Sequence, residues 1–205
     1  MIIGICGLIG SGKGTVADIL VDQGFKKISF ADKLKDGVST IFGWDRAMLE
    51  GDTDDSRQWR EKRDDFWTDE TKMEISPRLV LQLFGTDCMR NGFYDGVWVS
   101  LLKKQILDNP GNYVVPDVRF RNEQDMIRDI GGEIWWVRRG EIPEWWSSAV
   151  LDNTTGSSLM EAQDIHTSEW KWADTNDKFD EIIHNNESIQ ALRGQVLATL
   201  GTIPF

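Results

Sequence analysis

Between Gly7 and Thr15 the chain reads Gly-Leu-Ile-Gly-Ser-Gly-Lys-Gly-Thr, behind the apolar run Ile2-Ile3-Gly4-Ile5-Cys6 and ahead of the helical pattern Thr15, Val16, Ile19, Leu20. An apolar run stopped by glycines reads as a buried strand, and the spacing that follows reads as a helix, so the glycines form the tight loop between them. In such a unit successive backbone N–H groups point inward, and the helix adds its unpaired first-turn N–H groups and the positive end of its dipole. The result is a cradle for phosphate oxygens formed by Gly10, Ser11, Gly12, Lys13, Gly14 and Thr15, with the Lys13 ammonium in reach of β- and γ-phosphates. Gly14 stands where Ser or Thr more often follows the lysine, and the hydroxyl comes one place later, at Thr15.

Further strands alternate with helices. The runs at 27–30, 112–116, 133–138 and 179–184 read as strands, and those at 32–42, 96–107, 122–130 and 188–200 as helices, the last with Ile189, Leu192, Val196 and Leu200 on one face. Ser76-Pro77 marks a helix start, and Gly131-Gly132 a helix end. The pattern predicts an α/β chain with a three-layer P-loop NTPase-type fold, its mainly parallel sheet having about five strands covered on both faces. A single domain spanning 1–205 is expected, with an inserted charged lobe or flap at 44–76. A lid segment is expected at about 140–175, with a helix near Leu159 to Gln163.

A net charge of −11 argues against polymeric nucleic acid or an anionic membrane as partner, since both need a basic surface. The N-terminal apolar run is too short for a signal-peptide core and lacks a basic flank, so a cytoplasmic protein is expected, in a host cytoplasm if the source is a phage. Cys6 and Cys88 lack metal-ligand spacing and read as buried apolar fillers. Most of the tryptophans, Trp44, Trp59, Trp67, Trp135, Trp136, Trp145 and Trp146 among them, should be buried.

A phosphate cradle that supports transfer needs a carboxylate to hold a metal ion and positive charge around the migrating group. Asp117, directly after Val114-Val115-Pro116, is the candidate carboxylate, and Arg119 stands two places on, where a guanidinium can clamp a phosphate. Arg78, Arg90, Arg121, Arg138 and Arg139 are the other arginines outside the lobe that can converge above the carboxyl ends of the strands. Asn185 and Asn186 follow the last strand, where they suit either an approach to a nucleotide base or a turn.

Several motifs in order resemble those of bacteriophage deoxynucleoside monophosphate kinases. After the glycine loop come Ser29-Phe30-Ala31-Asp32-Lys33-Leu34-Lys35, with Lys33 in place of the family's Pro, and Pro77-Arg78-Leu79-Val80-Leu81-Gln82-Leu83-Phe84-Gly85-Thr86-Asp87. Val97-Trp98-Val99, Asp117-Val118-Arg119-Phe120-Arg121-Asn122-Glu123, Val137-Arg138-Arg139 and His166-Thr167-Ser168-Glu169 complete the series, with Gly140 where the family usually has Pro. The resemblance implies ATP and Mg²⁺ as cofactors and a deoxynucleoside monophosphate as acceptor. It implies that Lys13, Thr15, Asp117 and Arg119 serve the phosphates, with Thr15 and Asp117 at the metal, and that Asp32, Lys35, Arg78, Gln82, Thr86 and Trp98 line the acceptor site. Arg90 is placed with the acceptor residues, Arg138 with the catalytic ones, and Arg139 and Asn185 with ATP. Trp98 suits the core equally well, and Gln82 and Thr86, spaced i, i+4, suit a base edge or a helix end. His166 is read as structural or flap-associated, because a phosphate acceptor needs no catalytic base.

Two other readings compete. One is a P-loop kinase of another small acceptor, such as a coenzyme precursor. The other is a module that binds ATP without transfer and uses an exposed tryptophan patch for a partner. A homodimer is allowed, and nothing in the sequence selects it.

Overall fold

Every residue of the first apolar run is buried, because the strand it forms lies mid-sheet with both faces covered. The computed structural model describes residues 1–202. In chain order the elements are β1 (Ile2–Cys6), α1 (Lys13–Val21), β2 (Lys26–Lys27), α2 (Asp32–Phe42), α3 (Asp54–Glu61), α4 (Asp65–Thr71), α5 (Pro77–Gln82), a π-helix (Leu83–Asn91) and α6 (Val97–Asp108). They continue with β3 (Tyr113–Val115), α7 (Arg121–Asp129), β4 (Glu133–Arg138), α8 (Trp146–Thr155), β5 (Glu181–His184) and α9 (Ile189–Thr202), with 3-10 turns at Leu159–Ala162, Thr167–Glu169 and Asn176–Lys178.

The chain divides into two compact units. The first comprises Met1–Ser29 and the chain from Lys103 onward; the second comprises Phe30–Leu102.

The first unit holds a five-stranded sheet in the order β2-β3-β1-β4-β5, parallel throughout. Ile3 and Ile5 of β1 and Trp135 and Val137 of β4 point to one face, where they pack with Val16, Ala17 and Leu20 of α1 and Leu192, Val196 and Leu200 of α9. On the other face Gly4 leaves no room for a side chain: a Cβ there would stand 2.6 Å from Ile127 of α7 and 2.9 Å from Ile134. Trp136 faces the same way and stacks on Trp146 of α8 with 4.7 Å between ring centroids, and Trp172 and Phe179 close the cluster. Helix layers therefore cover the sheet on both sides, as the alternation of elements predicts.

In the second unit Val38, Leu49, Ile75 and Val80 form a core lined by Phe42, Trp44, Trp59 and Trp67. Residues of the charged stretch 44–76 thus pack with α2 and α5 in this core. Its short helices are held at their starts by side chains: Thr53 and Ser56 form a capping box on α3, Asp64 accepts from the Trp67 amide, and Ser76 caps α5 with Pro77 in the first turn.

Four expectations change. Ile189 is 53% exposed, because it sits at the first residue of α9, while Leu192, Val196 and Leu200 are buried. Cys88 is exposed and only Cys6 fills the core. The segment Leu159–Ala162 is a 3-10 turn, and the helix of that region is α8, further upstream. The residues after Gln82 wind as a π-helix, so Gln82 and Thr86 do not share the α-helical face that an i, i+4 spacing predicts. None of the tryptophans falls in the exposed class, so the patch that a tryptophan-based docking module requires is missing. Among the described residues no helix is long and apolar enough to cross a membrane.

Candidate active site

The cradle is built where β1 runs into α1. Gly12 precedes α1 with φ 100°, and Gly7, at φ 152°, has no room for a Cβ, which would stand 2.4 Å from the Val137 carbonyl oxygen. The Ser11 amide donates to the Leu8 carbonyl at 3.1 Å, closing the turn. Ser11 Oγ is buried with no hydrogen-bond partner among the described residues, an arrangement that suits an incoming polyanion. Lys13 Nζ donates to the Gly7 and Leu8 carbonyls at 2.8 and 2.9 Å, so the ammonium lies folded over its own loop. Burial, and then the charge of Arg119, lower its pKa below the ordinary lysine range, while Glu169 opposes them.

Asp117 follows β3, and the Val118 amide donates to the Ile5 carbonyl at 3.3 Å, which sets the turn against the end of β1. Ser29 Oγ donates to Asp117 Oδ2 at 2.5 Å. Thr15, in the first turn of α1, and Asp117 offer hydroxyl and carboxylate oxygens, the hard donors that Mg²⁺ prefers, so these residues fit such an ion. Arg119 is exposed, and its Nη1 donates to Glu169 at 3.0 Å and Ser168 Oγ at 3.3 Å. Arg138 ends β4, lies 5.8 Å from the centroid of the Trp136 ring, and lines a small pocket with Leu8, Arg139, Ile142 and Pro143. Asn185 follows β5. Its Nδ2 donates to the Ser11 carbonyl at 2.8 Å and its amide to the Arg138 carbonyl at 2.8 Å, so it supports the loop from below. The first unit therefore gathers Lys13, Asp117, Arg138, Arg139 and Asn185 at the carboxyl ends of its strands, the position doubly wound sheets use for ligands. Arg121, also a candidate there, is paired with the buried Asp174 instead.

The expected acceptor residues lie in the second unit. Lys35 pairs with Glu50 at 2.6 Å, and Arg46 joins Asp32, Asp36 and Glu50. Burial alone would raise the Glu50 carboxyl, yet hydrogen bonds from Lys35 and Arg46 outweigh it and hold the pKa below the usual carboxylate range. Arg78 is exposed and pairs with Glu61 at 2.7 Å. Gln82 and Thr86 are exposed, and Arg90 is partly buried. Trp98 is 6% exposed and its Nε1 donates to the Gly85 carbonyl at 3.0 Å, which makes it a core residue of the alternatives open to it.

Sequence reasoning assigned no role to several groups. Ser29 opens the segment 29–35, but its bond to Asp117 joins residues 88 positions apart, which no local pattern reveals. Glu123 is 3% exposed and its carboxylate accepts from the Arg119 and Phe120 amides at 2.7 and 3.1 Å. Its place in the first turn of α7 is the signal that marks it. Arg46 and Glu50 looked like ordinary members of a charge run.

The model of the deoxynucleotide monophosphate kinase family matches residues 48–196. A protein of Acanthamoeba polyphaga mimivirus, named as a deoxynucleotide monophosphate kinase, is 29% identical over 97% of this chain and 95% of its own length. The deoxynucleoside-5'-monophosphate kinase of Escherichia phage T5 is 41% identical over 56 residues, which are 27% of this chain and 22% of that protein. Among solved structures, shikimate kinase from Aquifex aeolicus is similar with TM-score 0.48 and 12% identity over 98% of this chain and 96% of that one. Dephospho-CoA kinase from Campylobacter jejuni is similar with TM-score 0.45 and 18% identity over 98% and 95%. With the family model covering most of the chain and the mimivirus relative extending the likeness through the phosphate cradle, the chain belongs to the deoxynucleotide monophosphate kinases, a family of ATP-dependent phosphotransferases.

Proposed function

We propose that the protein transfers the γ-phosphoryl group of ATP to a deoxynucleoside monophosphate, giving ADP and the deoxynucleoside diphosphate. The observation that supports this reading is the glycine cradle between β1 and α1, with the Lys13 ammonium folded over its loop and Ser11 Oγ buried without a hydrogen-bond partner among the described residues. Such a cradle favours a polyanion, whose charge the loop amides and the ammonium meet. The loop amides and Lys13 hold the triphosphate, and an oxygen of the acceptor's phosphate displaces ADP from the γ-phosphorus. The nucleophile is already an anion, so no base is required and His166 is spared that role. Lys13 and Arg119 lower the barrier by meeting charge on the migrating group, an effect on the order of a thousandfold or more for such an arginine. Thr15 and Asp117 would hold Mg²⁺, which supplies charge neutralisation at the phosphate oxygens. Arg139, beside Leu8, is a wall for the donor nucleotide. Asp32, Lys35, Arg78, Gln82, Thr86 and Arg90 serve the acceptor, with Lys35 and Asp32 held through Glu50 and Arg46.

The test is a product profile with ATP, Mg²⁺ and each deoxy- and ribonucleoside monophosphate in turn. Formation of a deoxynucleoside diphosphate supports the reading, and pure protein that phosphorylates none of the deoxynucleotides removes it.

A further inference from the structure

The guanidinium of Arg119 is held by a frame that the transfer reaction does not by itself require. Its Nη1 donates to both Glu169 and Ser168 Oγ. Ser168 Oγ lies 2.8 Å from His166 Nδ1, and the Ser168 amide donates to the same nitrogen at 3.3 Å. A ring nitrogen that accepts from an amide is the acceptor side of the imidazole, which makes Nδ1 an acceptor for the neighbouring hydroxyl as well. The Ser168 hydroxyl then turns its own proton toward His166 and leaves its lone pairs to Arg119. Donation runs one way, from guanidinium to hydroxyl to imidazole, with the Glu169 carboxylate as a second acceptor.

The frame is stiff. The Glu169 amide closes the turn onto the His166 carbonyl at 2.9 Å. The next residues, Trp170 and Trp172, are buried, and Gln124 of α7 donates to the Trp172 carbonyl at 2.9 Å. The same helix holds the backbone of Arg119 through Glu123. Backbone and side-chain supports of Arg119 thus converge on α7, and Arg119 is fixed through one nitrogen. The described residues give its Nε and Nη2 no hydrogen bond, which leaves that edge for a phosphate. Glu169 also acts on Lys13, opposing the lowering of its pKa, so its charge reaches both cations.

We infer that Glu169 and Ser168, backed by His166, are positioning residues that aim the Arg119 guanidinium at the migrating phosphoryl group. The inference rests on the reading of Arg119 as a phosphate-handling residue. An interaction that orients a transition-state contact appears in kcat rather than in ground-state binding.

The experiment is a double-mutant cycle on the full chain with saturating ATP, Mg²⁺ and the best acceptor. Glu169→Gln is expected to lower kcat about tenfold with both KM values changed less than about threefold, and Ser168→Ala to lower kcat about threefold. In an Arg119→Ala background, Glu169→Gln is expected to change kcat less than about twofold, because a residue that acts through Arg119 has nothing left to aim. Effects that multiply in the double variant would overturn the inference, as would full kcat in both Glu169→Gln and Ser168→Ala. An Arg119→Ala protein with the parent kcat would overturn the reading of Arg119 itself and the inference with it. Should Glu169→Gln fold poorly, Ser168→Ala and Ser168→Ala/Arg119→Ala carry the same cycle.

Discussion

Ser29 Oγ and Asp117 Oδ2 stand 2.5 Å apart, joining the residues that follow β2 and β3. The hydroxyl fixes one oxygen of the carboxylate that would hold a metal ion. Asp117→Asn is therefore expected to lower kcat about a hundredfold or more at any Mg²⁺ concentration. Ser29→Ala loses one orienting bond and is expected to raise the Mg²⁺ concentration for half-maximal turnover about fivefold, the equivalent of roughly 1 kcal/mol. Turnover against Mg²⁺ concentration separates the two. A Ser29→Ala curve that overlays the parent would deny the hydroxyl any part in setting the carboxylate.

Asn185 holds the Ser11 carbonyl, and a Cβ on Gly12 would come within 2.3 Å of its Nδ2. Asn185→Ala is expected to raise the KM for ATP about fivefold with the acceptor KM unchanged, since one loop-supporting bond is lost. Preference between ATP and GTP should stay the same. A changed preference would assign Asn185 to the base instead. Gly12→Ala meets both the close approach and a left-handed φ of 100°, so calorimetry should detect no ATP binding.

Trp98 donates its indole N–H to Gly85 in a buried setting. Trp98→Phe strands that carbonyl and is expected to destabilise the protein by about 1–3 kcal/mol, measured by denaturant unfolding, while acceptor preference stays fixed. Altered acceptor preference with unchanged stability would return Trp98 to the acceptor site.

Legibility in the sequence followed how locally each feature is determined. β1, the glycine loop and α1 are specified by contiguous residues, and α2 and β4 end where their patterns end. Helix α8 escaped notice because Trp145-Trp146-Ser147-Ser148 and Asn153-Thr154-Thr155 are poor helix formers. It is held instead by Trp146 on Trp136 and by Asp152, which accepts from the Leu159 and Met160 amides. The π-helix is invisible for a similar reason, since an i+5 turn around Gly85 uses the same residue types as an i+4 turn. At the candidate site, the glycine loop and the residues after β3 stand out as contiguous motifs, whereas the pairings of Ser29, Glu123 and Asn185 are made only by the tertiary fold.

Cys88 is exposed and Cys6 is buried, its thiol pushed up by burial. A thiol reagent should modify Cys88 in the native protein and reach Cys6 only in denaturant. Mass spectrometry of peptides after timed labelling checks this, and native labelling of Cys6 would show that β1 opens readily.

The charges around Lys13 predict how ATP binding responds to alkali. Burial and Arg119 disfavour the ammonium, so Lys13 loses its proton at lower pH than a solvated lysine does. A triphosphate favours the charged form, so ATP binding takes up a proton once free Lys13 begins to titrate, and affinity falls as pH rises through that range. The fall should be at most about tenfold per pH unit, the limit for one proton, and should be absent in Lys13→Met. Removing a neighbour moves the falling limb in a direction fixed by that neighbour's sign. Arg119→Ala takes away a cation that lowers the Lys13 pKa and should shift the limb to higher pH, whereas Glu169→Gln takes away an anion that raises it and should shift the limb to lower pH. Calorimetric dissociation constants for ATP between about pH 7 and 10.5 cover the range in which an ordinary lysine begins to lose its proton. Shifts of the same sign in both variants would show that Lys13 does not sense these two charges as an opposed pair.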